Sequence, residues 1–279
     1  LDNLLIGQAN ITTLNLRTLI YAAKAIFDGK VHVLFLQETH VHKSRSWFWK
    51  SKIMKLGLKS FFVPTAPSSF DGPATSGGLL ALCRSDLHVE IPLCKKIDDF
   101  AHAVYIRLKR QSLCFINIYL VSDHDCTALQ TLHHVKEYVQ QVKVPWLVLG
   151  DWNKTAKDLH DFQWGTMDVG RPYLPEDTTA TCTTGANRII DWGLASNSMS
   201  AIVRKVTRID DAPVRPHFPV VWQLAAKPRQ VMVYTIVKPR TVPQSSKYNV
   251  PPNWENMREM ARMKVNSTKA KLIPQIAHD

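Results

Sequence analysis

Chemistry in this chain gathers in a few side chains that stand where short apolar runs give way to turns. The most pointed case is Gly150-Asp151-Trp152-Asn153, which follows the β-prone run Trp146 to Leu149. That run is too brief for a helix and reads as a strand buried on both faces. Gly150 lets the backbone turn sharply and approach a ligand closely. Asp151 and Asn153, two apart, project to one side if the extended geometry persists. A carboxylate beside an amide can take a proton from water and hold a phosphoryl oxygen; the alternative is a plain turn closed by an Asx hydrogen bond. Glu38 ends a second apolar run, Val31 to Leu36, and Tyr119 ends a third, Leu113 to Tyr119. Asn10 lies where a first strand from Leu4 meets a helix, as a site residue or as a turn or cap. Asp191 falls in the strand Arg188 to Ser196, and His217 directly precedes the last strong strand, Phe218 to Leu224. A carboxylate on one imidazole nitrogen fixes the tautomer and raises basicity at the other, so Asp191 and His217 make chemical sense as a pair, or are two unrelated residues of a core edge.

The elements that must position these residues are legible as pattern. A helical stripe of Leu16, Leu19, Ile20, Ala23 and Phe27 follows the first strand, and a second helix runs from Trp47 to Leu56 with Trp47, Phe48 and Trp49 expected to pack rather than to stack on bases. Strands at Gly77 to Cys83, His102 to Leu108 and Leu113 to Tyr119 have the spacing of an antiparallel meander. The helix Asp125 to Val142 aligns Leu129, Leu132, Val135, Val139 and Val142; its adjacent His133 and His134 diverge by about 100° and read as surface residues rather than joint ligands. Ala201 to Ile209 reads as a further strand.

The chain's 279 residues and 45% hydrophobic content suit one large α/β domain or two small ones. Its formal charge of +12 is uneven: from Ala226 onward ten Lys or Arg face three Asp or Glu, net +7, which leaves +5 for the preceding 225 residues. Six of sixteen prolines fall in that last part, so we read a globular unit over 1–225 and a basic, Pro-rich tail or linker over 226–279, with one short helix near Trp254 to Lys264. A basic body with a more basic tail suits a polyanion such as nucleic acid or an acidic membrane surface. The five scattered cysteines show no metal-type pairing and fit reduced, packed thiols of an intracellular protein. No run reaches the length of a membrane span and no signal region opens the chain, so no membrane partner is expected; the start at Leu1 fits a piece of a longer polyprotein.

Taken in order, Ala9-Asn10-Ile11, Leu36-Gln37-Glu38-Thr39, Gly77-Gly78-Leu79, Asn117-Ile118-Tyr119, Leu149-Gly150-Asp151-Trp152-Asn153, Arg188-Ile189-Ile190-Asp191-Trp192 and Pro216-His217-Phe218-Pro219-Val220 resemble the endonuclease/exonuclease/phosphatase superfamily. Within it, the chain is similar to the apurinic-type endonuclease domain of non-long-terminal-repeat retrotransposon proteins. The resemblance implies an α/β fold: a two-sheet sandwich of mixed, largely antiparallel strands with helices on the outer faces and the site at one rim. It implies that Glu38, with Asn10 close by, binds Mg2+ or Mn2+; that Asp151 orients or deprotonates the attacking water, with Asn153 holding it or the phosphate; that His217, paired with Asp191, contacts the scissile phosphate; and that Tyr119 adds a hydroxyl nearby. These roles suit phosphodiester hydrolysis. DNA is the implied partner, with a downstream reverse transcriptase region of the same polyprotein and a nuclear location if chromosomal DNA is the target. The chain departs from the pattern at Thr12 and Pro216, where the family carries acids, and at Leu120, where it carries proline. A catalytically silent nucleic-acid-binding remnant and a phosphatase of small molecules or lipid headgroups are the alternatives.

Overall fold

The computed structural model describes residues 3–67, 75–122, 125–159, 170–176, 178, 180–184, 188–231 and 259. The chain runs β1 (Leu4–Asn10), α1 (Leu16–Phe27), β2 (Val33–Gln37), α2 (Ser46–Lys55), β3 (Leu58–Val63), β4 (Ala66–Pro67), β5 (Thr75–Ser76) and β6 (Leu79–Arg84). It continues with β7 (Lys95–Asp98), β8 (Ala101–Arg107), β9 (Ser112–Tyr119), α3 (Asp125–Gln141), β10 (Trp146–Asp151), the single turn α4 (Ala156–Leu159) and β11 (Arg171–Tyr173). It closes with β12 (Asp191–Ala195), α5 (Asn197–Ser200), β13 (Val203–Arg208) and β14 (Val220–Leu224). The chain divides into a unit Leu1–Val233 and a unit Tyr234–Asp279. Apart from residue 259, the basic arm beyond 231, including the expected helix near Trp254, lies outside the described residues.

Two six-stranded sheets form the first unit, ordered β13-β14-β1-β2-β6-β3 and β11-β12-β10-β9-β8-β7. β1 pairs with β2, and β9 with β10, in parallel; the other pairs of both sheets are antiparallel. The sheets face each other across a shared core that includes Ile6, Phe35, Phe115, Leu147, Leu149 and Trp222, as alternation on half-buried strands requires. The outer face of the first sheet carries α1 on Leu34, Leu36, Leu80 and Leu82. The outer face of the second carries α3 on Ile116, Val148 and Leu194. The expected sandwich with outer helices is present.

Three local expectations need correction. Gly77 to Cys83 does not continue a meander with the next two strands: β6 lies in the first sheet between β2 and β3, and only β7, β8 and β9 run as a meander, in the second. Helix α1 buries Leu19, Ala22, Ala23, Ala25 and Ile26, leaving Leu16, Ile20 and Phe27 more than half exposed. Small alanines let the helix approach the sheet closely, and this face wins over the bulkier stripe. In α2 only Ile53 is buried, Trp49 is partly packed, and Trp47 stands 70% exposed. His133 and His134 are exposed, as expected.

Candidate active site

The parallel pairs β1/β2 and β9/β10 deliver their strand ends to one rim. Asn10 ends β1 beside Gln37, Glu38 follows β2, and Asp151 ends β10 in register with Tyr119 on one side and Asp191 of β12 on the other. Two Asp-Trp dipeptides set the pair of carboxylates. Because successive strand residues point to opposite faces, Trp152 and Trp192 stack on the far side at 4.3 Å and 14°, both fully buried, while Asp151 and Asp191 turn to the rim. Trp152 Nε1 donates to Trp192 O at 2.8 Å and Trp192 Nε1 to Lys154 O at 3.0 Å, locking the pair.

Gly150 is obligatory here. At φ +152 its missing Cβ would lie 1.9 Å from Ile118 O. Polar ties between the sheets hold the rim in place: Gln8 Nε2 donates to Gly150 O at 3.0 Å, Gln37 Nε2 to Asn117 Oδ1 at 2.6 Å, and Asn117 Nδ2 to Leu36 O at 3.1 Å. A buried amide that finds such a partner is fixed in one orientation.

The centre of the site is a continuous chain. His217 Nδ1 meets Asp191 Oδ2 at 2.9 Å; its Nε2 lies 3.8 Å from Asp151 Oδ2 and 3.5 Å from Asn10 Nδ2. Asn10 Nδ2 donates to the same Asp151 oxygen at 2.8 Å, and Thr12 N–H holds Asn10 Oδ1 at 3.0 Å. Asp151 Oδ1 accepts from Asn153 N–H at 2.9 Å. The Asx turn of Gly-Asp-x-Asn is present, and it fixes the orientation of the Asp151 carboxylate. The Asn153 side chain, at φ +49, donates to Leu120 O at 2.6 Å, so it braces the loop instead of sharing a face with Asp151. Asn10 does not cap the helix, a role taken by Asn15; its amide lies against Asp151 and His217. Beside this chain, Tyr119 donates its hydroxyl to Glu38 Oε1 at 2.5 Å, with Glu38 held at φ +53.

Two neighbours were not singled out by pattern. Thr181 Oγ1 accepts from the backbone N–H of Ile190 and Asp191 at 3.0 and 2.9 Å, and Cys182 Sγ lies 3.7 Å from His217 Nε2. Their strand-like segment reaches the site through a bridge between Cys182 and His217 that only the folded chain creates.

Electrostatics follow from burial. Asp151 is 1% exposed; desolvation, then the charge of Asp191, lifts its pKa to about 7, while His217, Asn10 and Asn153 hold it down. For His217 burial opposes the charged form, but the hydrogen bond and charge of Asp191, with Asp151 behind, raise it to about 10. Asp191 is likewise pushed up by burial and pulled back by the imidazolium, and Glu38 is near enough to push it up further. The site thus holds an imidazolium at neutral pH beside a carboxyl poised to exchange its proton.

The donors suit a hard divalent cation. Asp151 and Asp191 bring two buried carboxylates together with Glu38 near enough for its charge to act on Asp191, Asp191 Oδ1 is buried with no hydrogen-bond partner among the described residues, and an oxygen-rich set is what Mg2+ or Mn2+ takes. Asp151, Asp191 and His217 place one ligand atom each within 4.8 Å of one another, a group that could hold a metal ion, with the ring nitrogens of His217 facing the two acids. Thr12 turns its hydroxyl to Ile11 O and Pro216 offers only its carbonyl, to Thr183, so neither supplies an acid.

No protein-family model matches the sequence, and no curated protein matches it in sequence. Solved structures do match in fold. The endonuclease domain of TRAS1, a telomere-specific non-LTR retrotransposon, is 18% identical with a TM-score of 0.60, covering 80% of this chain and 98% of that one. The AP endonuclease LMAP from Leishmania major is 11% identical with a TM-score of 0.61, covering 80% of this chain and 88% of that one. The 3'-5' exonuclease NExo from Neisseria meningitidis is 19% identical with a TM-score of 0.57, covering 79% of this chain and 99% of that one. The chain has the fold of the endonuclease/exonuclease/phosphatase proteins.

Proposed function

We propose that this protein is a divalent-metal-dependent phosphodiester hydrolase that nicks DNA. The observation that carries the reading is the buried chain Asn10–Asp151–His217–Asp191, which sets a carboxyl with a pKa of about 7 against an imidazolium at the rim of a nuclease-type sandwich. In hydrolysis a water oxygen bonds to phosphorus, the phosphorus–O3′ bond breaks, one proton leaves the attacking water, and the departing O3′ takes a proton from solvent. Asp151 takes the water proton, a task for which a value near the working pH is suited. His217 donates a charged hydrogen bond to the phosphoryl oxygen on which negative charge develops, and Asp191 keeps it protonated and oriented. Asn10 and the Asn153 N–H are positioning groups for Asp151. Glu38, set by Tyr119, with Asn10 nearby, would hold Mg2+ or Mn2+, which when bound supplies positive charge to the phosphoryl oxygens.

The finer assignment, a retroelement nickase that exposes a primer for copying RNA, draws on the motif resemblance and on the fold shared with the TRAS1 domain. In that setting the partners are DNA and a reverse transcriptase region of the same polyprotein, and the site of action is the nucleus. The net +7 of residues 226–279 suits a phosphate-binding arm of such an enzyme, an asset that small substrates do not need. The described residues include no helix long and apolar enough to cross a membrane. The test is conversion of supercoiled plasmid to open circles in Mg2+ and in chelator. Metal-dependent nicking supports the reading; binding without nicking in either Mg2+ or Mn2+ transfers the protein to the silent-remnant class, for which the missing acids at Thr12 and Pro216 are the reason.

A further inference from the structure

We propose that the flank of the sandwich carrying α2 binds a single-stranded stretch of nucleic acid adjoining the cleavage site, with Trp47 as a stacking platform and a lysine-rimmed pocket beside it as a seat for the strand's backbone. The polyanion's identity rests on the nuclease reading above; the surface itself rests on three separate features.

The first is charge. From Thr39 to Pro67 the sequence has six Lys or Arg and no Asp or Glu, half of the chain's +12 in a short stretch that begins beside Glu38. Lys43, Arg45, Lys50 and Lys55 are exposed, and none of them makes an ion pair among the described residues. A basic run often serves only as a solvated face, but this one is interleaved with rings.

The second feature is that interleaving. Trp47 is 70% exposed and Met54 69%, and with Lys50 they form an i, i+3, i+7 row on one side of α2. Phe48 meets Trp47 edge-on at 6.4 Å and Trp49 at 5.5 Å, so the indole is braced from behind, while the Lys52 ammonium sits 4.8 Å over Phe48. Large apolar surface of this kind, alternating with cations, matches the stacking platforms of strand-binding proteins. Duplex DNA keeps its base faces stacked inside and offers only phosphates and groove edges. The rings therefore select an unpaired strand.

The third feature is a pocket of about 200 Å³ between the sheet edges β3 and β7, lined by Lys50, Ser60, Phe61, Lys95, Lys96 and His102. His102 is 3% exposed and neither ring nitrogen has a hydrogen-bond partner among the described residues. Burial holds its pKa at about 3, so the ring is neutral. Lys95 is held over the Tyr138 ring and Lys96 is paired with Asp99, which leaves Lys50 as the lining lysine engaged by neither a ring nor an acid among the described residues. Three lysines line this pocket and carry the positive charge that a phosphate takes. Lys50 belongs to both the pocket and the α2 row. Eight residues separate Glu38 from Ser46, at most about 29 Å of extended chain, so one short strand can occupy the catalytic rim and this flank together.

The test is fluorescence anisotropy of the full chain in chelator with a labelled oligothymidylate of about 16 nucleotides and with a duplex of equal length. Trp47→Ala should weaken oligothymidylate binding roughly tenfold, change duplex binding less than about twofold, and leave the nicking turnover at saturating plasmid unchanged. Lys50→Ala should flatten the log-affinity against log-salt slope for the single strand by about 0.7. Wild-type affinity in both variants, or no oligothymidylate binding by the wild type, overturns the proposal even if the protein nicks DNA. Equal weakening on strand and duplex overturns the single-strand assignment. If the wild type fails to nick in any divalent metal while Trp47→Ala still loses strand affinity, this inference stands and the nuclease reading falls.

Discussion

Asp151→Asn should remove catalysis and yet stabilise the metal-free protein above neutral pH. The buried carboxyl keeps its proton up to about pH 7, whereas in the unfolded chain it releases it near the ordinary 3.8. Between those values the folded state binds a proton that the unfolded state has lost, so stability falls as pH rises from about 4 to 7 and stays reduced above. The roughly thousandfold difference in proton affinity corresponds to about 4 kcal/mol. Asn carries no charge and escapes this loss. It also has one acceptor oxygen where Asp has two, so either Asn10 Nδ2 or the Asn153 N–H loses its partner, at a cost of about 1–3 kcal/mol. The balance is a gain of about 2 kcal/mol at pH 8, worth about 4–8 °C for a domain of this size. Near pH 5 the gain should shrink to about zero. Urea denaturation of both proteins in chelator at about pH 5 and about pH 8 reads the difference directly. A variant less stable than wild type at the higher pH, or a stability difference that does not change with pH, refutes the argument that this carboxyl is buried at a standing electrostatic cost.

Three further outcomes follow from the same geometry. Asp191→Ala, His217→Ala and the double variant should each lower nicking at least about 100-fold, with the double little worse than either single, because an imidazolium and the carboxylate that holds its proton act as one unit; steady-state nicking rates decide, and multiplying losses would mean separate roles. Tyr119→Phe removes the hydroxyl that sets Glu38 and should raise the Mg2+ concentration for half-maximal nicking about tenfold or more, read by a metal titration. Gly150→Ala drives a methyl into Ile118 O and should cost more than about 4 kcal/mol, seen as loss of folded protein by circular dichroism.

Most of the rim was legible because strand ends carry it. Apolar runs that stop at Asn10, Glu38, Tyr119 and Asp151 state the strands and the candidate chemistry in the same residues, and the two Asp-Trp dipeptides repeat the arrangement that pairs Asp151 with Asp191. What pattern could not give was side-chain aim across sheets. Asn153 points at Leu120 O because its backbone is left-handed, a property that spacing does not encode. Gln8, Gln37 and Asn117 are polar residues in otherwise apolar runs, a visible signal, but their partners lie 80 to 142 residues away. Cys182 reaches His217 only through a connection without regular pattern. On α1 and α2 periodicity misled, since alanines and one isoleucine, rather than the largest apolar residues, make the closest packing against the sheet.

The central claim, that Asp151 receives the proton of the attacking water at a metal-dependent phosphodiesterase site, is tested most directly by plasmid nicking in Mg2+ with wild type and Asp151→Asn under single-turnover conditions. The account predicts metal-dependent open circles from the wild type and a rate at least about 100-fold lower from the variant, with its fold intact. Nicking by Asp151→Asn at close to the wild-type rate would contradict it.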